Sequence, residues 1–90
     1  MLHKHLVITG RVQGVAFRYY ARHHAATLGL AGWVRNRPDG SVEAVIHGDD
    51  AAVASFISWA QHGPSSARVD HIDIQDATPE LTLRGFRIED

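Results

Sequence analysis

Two stretches with apolar residues at helical spacing, each bracketed by short β-branched runs, constrain this 90-residue chain more than any other feature. From Phe17 to Leu28 the residues Phe17, Ala21, His24, Ala25 and Leu28 recur at three- and four-residue steps, which puts them on one stripe of a helix. Gly29 supplies its stop. The second stripe, Val53, Phe56, Ile57 and Ala60, follows Asp49 and Asp50, either of which can cap it, and ends at Gly63-Pro64. Leu6–Thr9, closed by Gly10, reads as a strand. Ala31–Asn36 and Ser41–His47 read as a hairpin, because the intervening Arg37-Pro38-Asp39-Gly40 holds a Pro that fixes φ and a Gly that permits positive φ. Val69–Gln75 sets apolar Val69, Ile72 and Ile74 against polar His71, Asp73 and Gln75, and Leu83–Ile88 carries Leu83, Phe86 and Ile88 beyond a turn at Thr78-Pro79. The order strand, helix, strand, strand, helix, strand, strand predicts an α+β split βαβ arrangement, with a mainly antiparallel sheet of about five strands and both helices on one face.

The length fits one domain covering residues 1–90. A 44% hydrophobic and 21% charged composition is that of ordinary globular chains. Nine Lys and Arg against ten Asp and Glu give a net charge of −1, without the basic excess of a nucleic-acid binder, so no nucleic-acid partner is expected. The lack of cysteine excludes disulfides, thiolate zinc sites and a cysteine nucleophile, leaving catalysis to oxygen, nitrogen or backbone groups. After Met1-Leu2-His3-Lys4-His5 the apolar run Leu6–Ile8 is too short for a leader or a spanning segment, so a cytoplasmic protein with no membrane partner is expected.

Chemistry concentrates where the first strand meets the first helix. Gly10-Arg11-Val12-Gln13-Gly14-Val15-Ala16-Phe17-Arg18 passes through two glycines into a helix N-terminus that carries an arginine. The first helical turn has backbone N–H groups without intrahelical acceptors, and the helix dipole adds roughly half a positive charge there. Gly14 lets the backbone curl closely, and Arg18 presents a planar fork suited to phosphate oxygens. On these grounds the junction fits either a phosphate cradle or an ordinary turn with a solvated arginine. It is neither a Walker loop nor a dinucleotide fingerprint, because the glycines are differently spaced and no Gly-Lys-Ser/Thr follows.

The same residues carry a resemblance. Ile8-Thr9-Gly10-Arg11-Val12-Gln13-Gly14-Val15-Ala16-Phe17-Arg18 resembles the first signature of the acylphosphatase family. Gly32-Trp33-Val34-Arg35-Asn36-Arg37-Pro38-Asp39-Gly40-Ser41-Val42-Glu43-Ala44-Val45-Ile46-His47-Gly48 resembles the second, and the length and element order are similar from end to end. The resemblance implies a ferredoxin-like sandwich and a hydrolase, without metal or other cofactor, that splits acyl phosphates into a carboxylate and inorganic phosphate. It implies that Arg18 binds the phosphate and that Asn36 holds the attacking water. The cradle then consists of the backbone N–H groups of Gln13, Gly14, Val15, Ala16, Phe17 and Arg18. Gly10, Gly32, Trp33 and Gly48 are expected to shape turns and packing. The expected partner is a small acyl phosphate, and the expected state is a monomer.

Other constellations carry less. Seven histidines invite a metal site, with His3 and His5 on one strand face and His23-His24 on the helix, yet no third ligand stands at a recognisable metal spacing. His47 and His71 as general bases, and a triad of Ser41, His47 and Asp39, lack any nucleophile elbow. Glu43, Asp49 and Asp50 offer an acidic site on paper, but Asp49 and Asp50 serve better as caps. Trp33 and Phe17 fit core better than substrate platforms. Arg35 and Arg37 alternate around Asn36 on one sheet face, either to attract an anionic substrate or as solvated charges. The alternative to the enzyme is a ferredoxin-like phosphate-binding or regulatory module without turnover; the presence of both Arg18 and Asn36 favours the enzyme. Similar domains also begin a large hydrogenase-maturation carbamoyltransferase, and the end of the chain soon after its last strand favours a standalone enzyme.

Overall fold

The computed structural model describes residues 1–79 and 84–89. Its elements are β1 (Leu2–Arg11), α1 (Phe17–Thr27), β2 (Ala31–Asn36), β3 (Val42–Gly48), α2 (Asp50–Ala60), β4 (Arg68–Asp76) and β5 (Phe86–Glu89). The sheet order is β4-β1-β3-β2-β5. β1 pairs antiparallel with β3 and β4, β2 antiparallel with β3, and β5 joins β2 in parallel at the edge. This is the α+β, mainly antiparallel split βαβ arrangement expected from the element order.

Alternation divides the sheet into a covered and an open face. Leu6, Ile8, Val34, Val42, Ala44 and Ile46 point toward the helices and are buried. Phe17, Ala21 and Ala25 of α1 and Val53, Phe56 and Ala60 of α2 close over them. Small alanines let α1 lie close to the sheet, while Phe17, Phe56, Trp59 and Phe86 fill the remaining space with ring centroids 5.2 to 6.0 Å apart. Burying the Phe17 and Phe56 side chains stabilises the fold by about 1.5–3 kcal/mol each. His24, Leu28 and Ile57, also on the expected stripes, lie half-buried at the rims.

Boundaries differ from expectation where local chemistry competes with pattern. β1 runs well beyond Leu6–Thr9, because pairing on both edges carries it through His3, Lys4 and His5, which an apolar-run criterion passes over. β3 begins at Val42 rather than Ser41, since the Ser41 backbone N–H and hydroxyl both donate to Asp39 Oδ1, at 2.9 and 2.6 Å, and belong to the turn. Leu28 caps α1 rather than extending it. Asp49 occupies the N-cap of α2 without a side-chain capping bond; Asp50 instead meets the N-terminal ammonium at 3.2 Å. β4 is one residue longer at each end than Val69–Gln75. The expected start of the last strand at Leu83 lies outside the described residues.

Candidate active site

At Gly10 the pairing of β1 with β4 shifts register after Thr9, and Gly10 takes φ +129°. A Cβ there would collide with the carbonyl oxygen of Arg68. The bulge turns the chain off the sheet into the loop that leads to α1. Gly14 (φ +72°) and Ala16 (φ +61°, ψ +24°) both adopt left-handed conformations in that loop. Left-handed residues interspersed in a turn aim successive backbone N–H groups into one concavity, a nest for anions. The structure thus brings Gln13 through Arg18 together in one short curve that ends at the helix.

The helix start is short of acceptors. Ala16 is the N-cap and makes no side-chain capping bond, and no acidic residue lies in the first turn. The earliest intrahelical bond comes from the Tyr20 N–H to the Ala16 carbonyl at 3.2 Å. The backbone N–H groups of Phe17, Arg18 and Tyr19 precede that bond and have no intrahelical acceptor. A carboxylate would ordinarily stabilise such an end. Here the charged residue is Arg18, half-buried and without an ion pair among the described residues. Cationic and dipolar fields therefore reinforce each other at the mouth of the loop.

Asn36 enters from the sheet. It ends β2, shares the covered face with Val34, and pairs across β3 with Val42, which in turn pairs with Ile8 near the end of β1 where the loop begins. Asn36 therefore stands at the same end of the sheet as the loop. Its Oδ1 is buried, and no donor among the described residues reaches it. A buried amide oxygen without a partner is costly, by about 1–3 kcal/mol, which makes it a point where a small donor is welcome.

Two supports of the loop were not apparent from spacing along the chain. The Gln13 side chain reaches the hairpin turn, and Ser66 Oγ donates to the Val15 carbonyl at 3.3 Å from the turn after α2. The left-handed Ala16 likewise had no signal, because alanine is not a residue that advertises positive φ.

The other candidate groups lie elsewhere. Arg35 is on the open face, opposite Asn36, where its Nε donates to Glu43 at 2.6 Å and its guanidinium sits 5.5 Å from the Trp33 ring. Arg37 lies beyond β2 in the turn, 4.0 Å from Asp39, so strand alternation does not pair it with Arg35. Glu43 also binds His5 Nε2 at 2.6 Å; burial pulls its carboxyl upward, but these two hydrogen bonds outweigh burial and hold it below the ordinary range. Asp49 and Asp50 are at the start of α2, so no acidic site forms with Glu43. Asp39 and Ser41 bind each other, while His47, near the far end of β3, faces His3 with ring centroids 3.9 Å apart, so the triad is not assembled. His71 is exposed on β4. His23 and His24 meet edge-on at 5.9 Å, and His24 lies against Trp59. Among the described residues no three His, Asp or Glu side chains converge as a metal-binding group. Phe17 is core, and no helix among the described residues is long and apolar enough to cross a membrane.

In sequence and in fold the chain is similar to known proteins. The family model described as Acylphosphatase matches residues 4–88. An acylphosphatase of a Nocardioides species is 52% identical over 83 residues, covering 92% of this chain and 83% of that protein. One from Thiobacillus denitrificans is 55% identical over 78 residues, covering 87% and 88%. The crystal structure of acylphosphatase from Bacillus subtilis superposes with a TM-score of 0.94 at 36% identity, covering the whole of both chains.

Proposed function

The chain belongs to the acylphosphatase family, and from that premise we propose how it hydrolyses the carboxyl–phosphate bond of an acyl phosphate. The phosphoryl group sits in the nest, held by backbone N–H groups from Gln13 to Arg18 and by the Arg18 guanidinium. Asn36 Oδ1 accepts a hydrogen bond from water and aims its oxygen at phosphorus, in line with the bond to the acyl oxygen. The buried, donor-free Oδ1 of Asn36 at the loop end of the sheet is the observation that carries this arrangement.

Chemistry asks little more of the protein. The water oxygen bonds to phosphorus as the bond to the acyl oxygen breaks, and the carboxylate leaves with the electron pair. Its conjugate acid has a pKa of about 4, so no strong general acid is needed. Charge in the loose transition state gathers on the phosphoryl oxygens, where fixed N–H dipoles and a guanidinium act without reorganising. Asn36 cannot take a proton near neutral pH; the water's proton passes to a phosphoryl oxygen or to solvent. No step calls for a metal or other cofactor.

Phosphate release from a generic acyl phosphate, with chelator present and a stable phosphate monoester as control, tests the reaction class. Chelator-sensitive or monoester-preferring turnover would point to a different enzyme. Arg18→Ala is expected to lower kcat on the order of 10³-fold, and Asn36→Ala about 10²- to 10³-fold. Arg18→Lys keeps the charge but loses the fork; parental activity in that variant would contradict bidentate phosphate binding. The same reading includes one domain over residues 1–90, acting as a cytoplasmic monomer on a small substrate and not on nucleic acid. The balanced charge supports the last point. The compartment is supported by the lack of the cysteines that small exported domains commonly use. Sedimentation of the purified protein tests the monomer.

A further inference from the structure

Gln13 opens the proposed cradle, yet its side chain engages the hairpin. Its Nε2 donates to the Arg37 carbonyl at 2.8 Å and to the Ser41 carbonyl at 2.9 Å, which uses both N–H bonds of the carboxamide. Neither carbonyl needs Gln13 for its own satisfaction. The Arg37 N–H already donates to the Ser41 carbonyl at 2.8 Å, and the Gly40 N–H to the Arg37 carbonyl at 3.1 Å. Asp39 further closes the turn through the Ser41 N–H and hydroxyl. The hairpin is therefore complete in itself, and the two additional bonds do something else: they attach it to the loop. Among the described residues these are the hydrogen bonds that join residues 12–16 to residues 37–41.

The attachment point is next to Asn36. A side chain anchored on the Arg37 carbonyl fixes the Arg37–Pro38 peptide, one residue beyond Asn36, and its own backbone belongs to the loop that curves toward Arg18. We propose that Gln13 is a positioning residue that sets the separation and angle between the water held by Asn36 and the phosphoryl group held by the loop. This rests on the roles given above to Asn36 and the loop. Alignment of attacking and leaving oxygens is where a small displacement is expensive, since a 1 Å error costs about 10²-fold in rate. Phosphate affinity, which depends on the loop alone, is much less sensitive to where the hairpin sits.

Four variants test this: Gln13→Ala, Gln13→Met, Asn36→Ala and the double variant Gln13→Ala/Asn36→Ala. Each is measured for kcat and for inhibition by inorganic phosphate, the product that competes for the cradle, with a urea midpoint to show that it is folded. Gln13→Met keeps bulk and loses the donors, so it separates tethering from packing and also serves if Gln13→Ala fails to fold. Both single Gln13 variants are expected to lose about 10- to 100-fold in kcat, with phosphate inhibition unchanged within about twofold. In the Asn36→Ala background Gln13→Ala should cost nothing further, because the residue it positions is gone. Parental kcat in Gln13→Met, multiplying losses in the double variant, or phosphate affinity falling in step with kcat would each overturn the inference. Parental turnover by Asn36→Ala would sink the water-holding assignment itself, and that failure is read from the single variant alone.

Discussion

Ala16 shows how one residue ties stability to activity. It takes φ +61° and ψ +24°, a conformation that costs a residue with a Cβ roughly 1–2 kcal/mol, and its exposed side chain has no packing with which to offset this. What the strain achieves is the turn that frees the N–H groups of the following residues for the anion proposed above, so a tense backbone stands at the proposed site. Ala16→Gly should relieve the conformation and raise the urea midpoint, by up to about 1 kcal/mol in stability after the added freedom of the unfolded chain. The same change should lower kcat, because a freer loop holds the phosphoryl group less rigidly. Ala16→Val should destabilise by more than about 1 kcal/mol, since a β-branched residue tolerates positive φ least. A midpoint that fell in the Gly variant would mean that the left-handed turn is not strained.

Among the elements, β1 does two jobs: it is central to the sheet, and it delivers the loop. The bulge at Gly10 separates the two. Because a Cβ at that position meets backbone rather than a movable side chain, Gly10→Ala is expected to cost about 2–4 kcal/mol in urea unfolding and to disturb the loop as well. The strand itself shows why some of the fold was legible in the sequence and some was not. Periodicity is a local signal, so α1 and α2 announced themselves through Phe17, Ala21 and Ala25 and through Val53, Phe56 and Ala60, and β2 was bounded correctly at Ala31 and Asn36. His3, Lys4 and His5 form strand only because partners exist on both sides, which no local pattern records. The site divides in the same way. Gly14 and Arg18 stand out within the loop, and alternation puts Asn36 on the helix-covered face with Val34. Gln13 reaching the hairpin depends on a contact between residues 24 and 28 positions apart, which is knowable only after the sheet has formed.

Taken whole, the molecule has a second character on its open face, where histidines and charges lie instead of core. His47 faces His3, its Nδ1 is buried without a partner among the described residues, and its pKa is lowered from the ordinary 6.5 by burial, with the charges of His3 and the N-terminal ammonium adding to the effect. His24, against Trp59, is lowered first by burial and then by His23. Below about pH 6.5 the unfolded chain thus takes up protons that the folded chain declines. The contribution is intact above that value and is lost as pH falls toward the folded pKa. Glu43 acts with the same sign lower down. Burial raises its pKa, but His5 and Arg35 more than offset this, so its contribution is present above the ordinary 4.5 and is lost as pH falls through the depressed folded value. The exposed pairs Lys4–Asp76 and Arg68–Asp70 add little to either stage. Urea midpoints followed from about pH 8 down to about pH 3 should accordingly decline in two stages rather than one. His47→Phe, which keeps a ring and removes the titrating nitrogen, should shrink the upper stage and leave the lower one. Glu43→Gln should shrink the lower stage and leave the upper one. An upper stage of parental size in His47→Phe would assign it to His24 and leave the open face without influence on acid stability near neutrality.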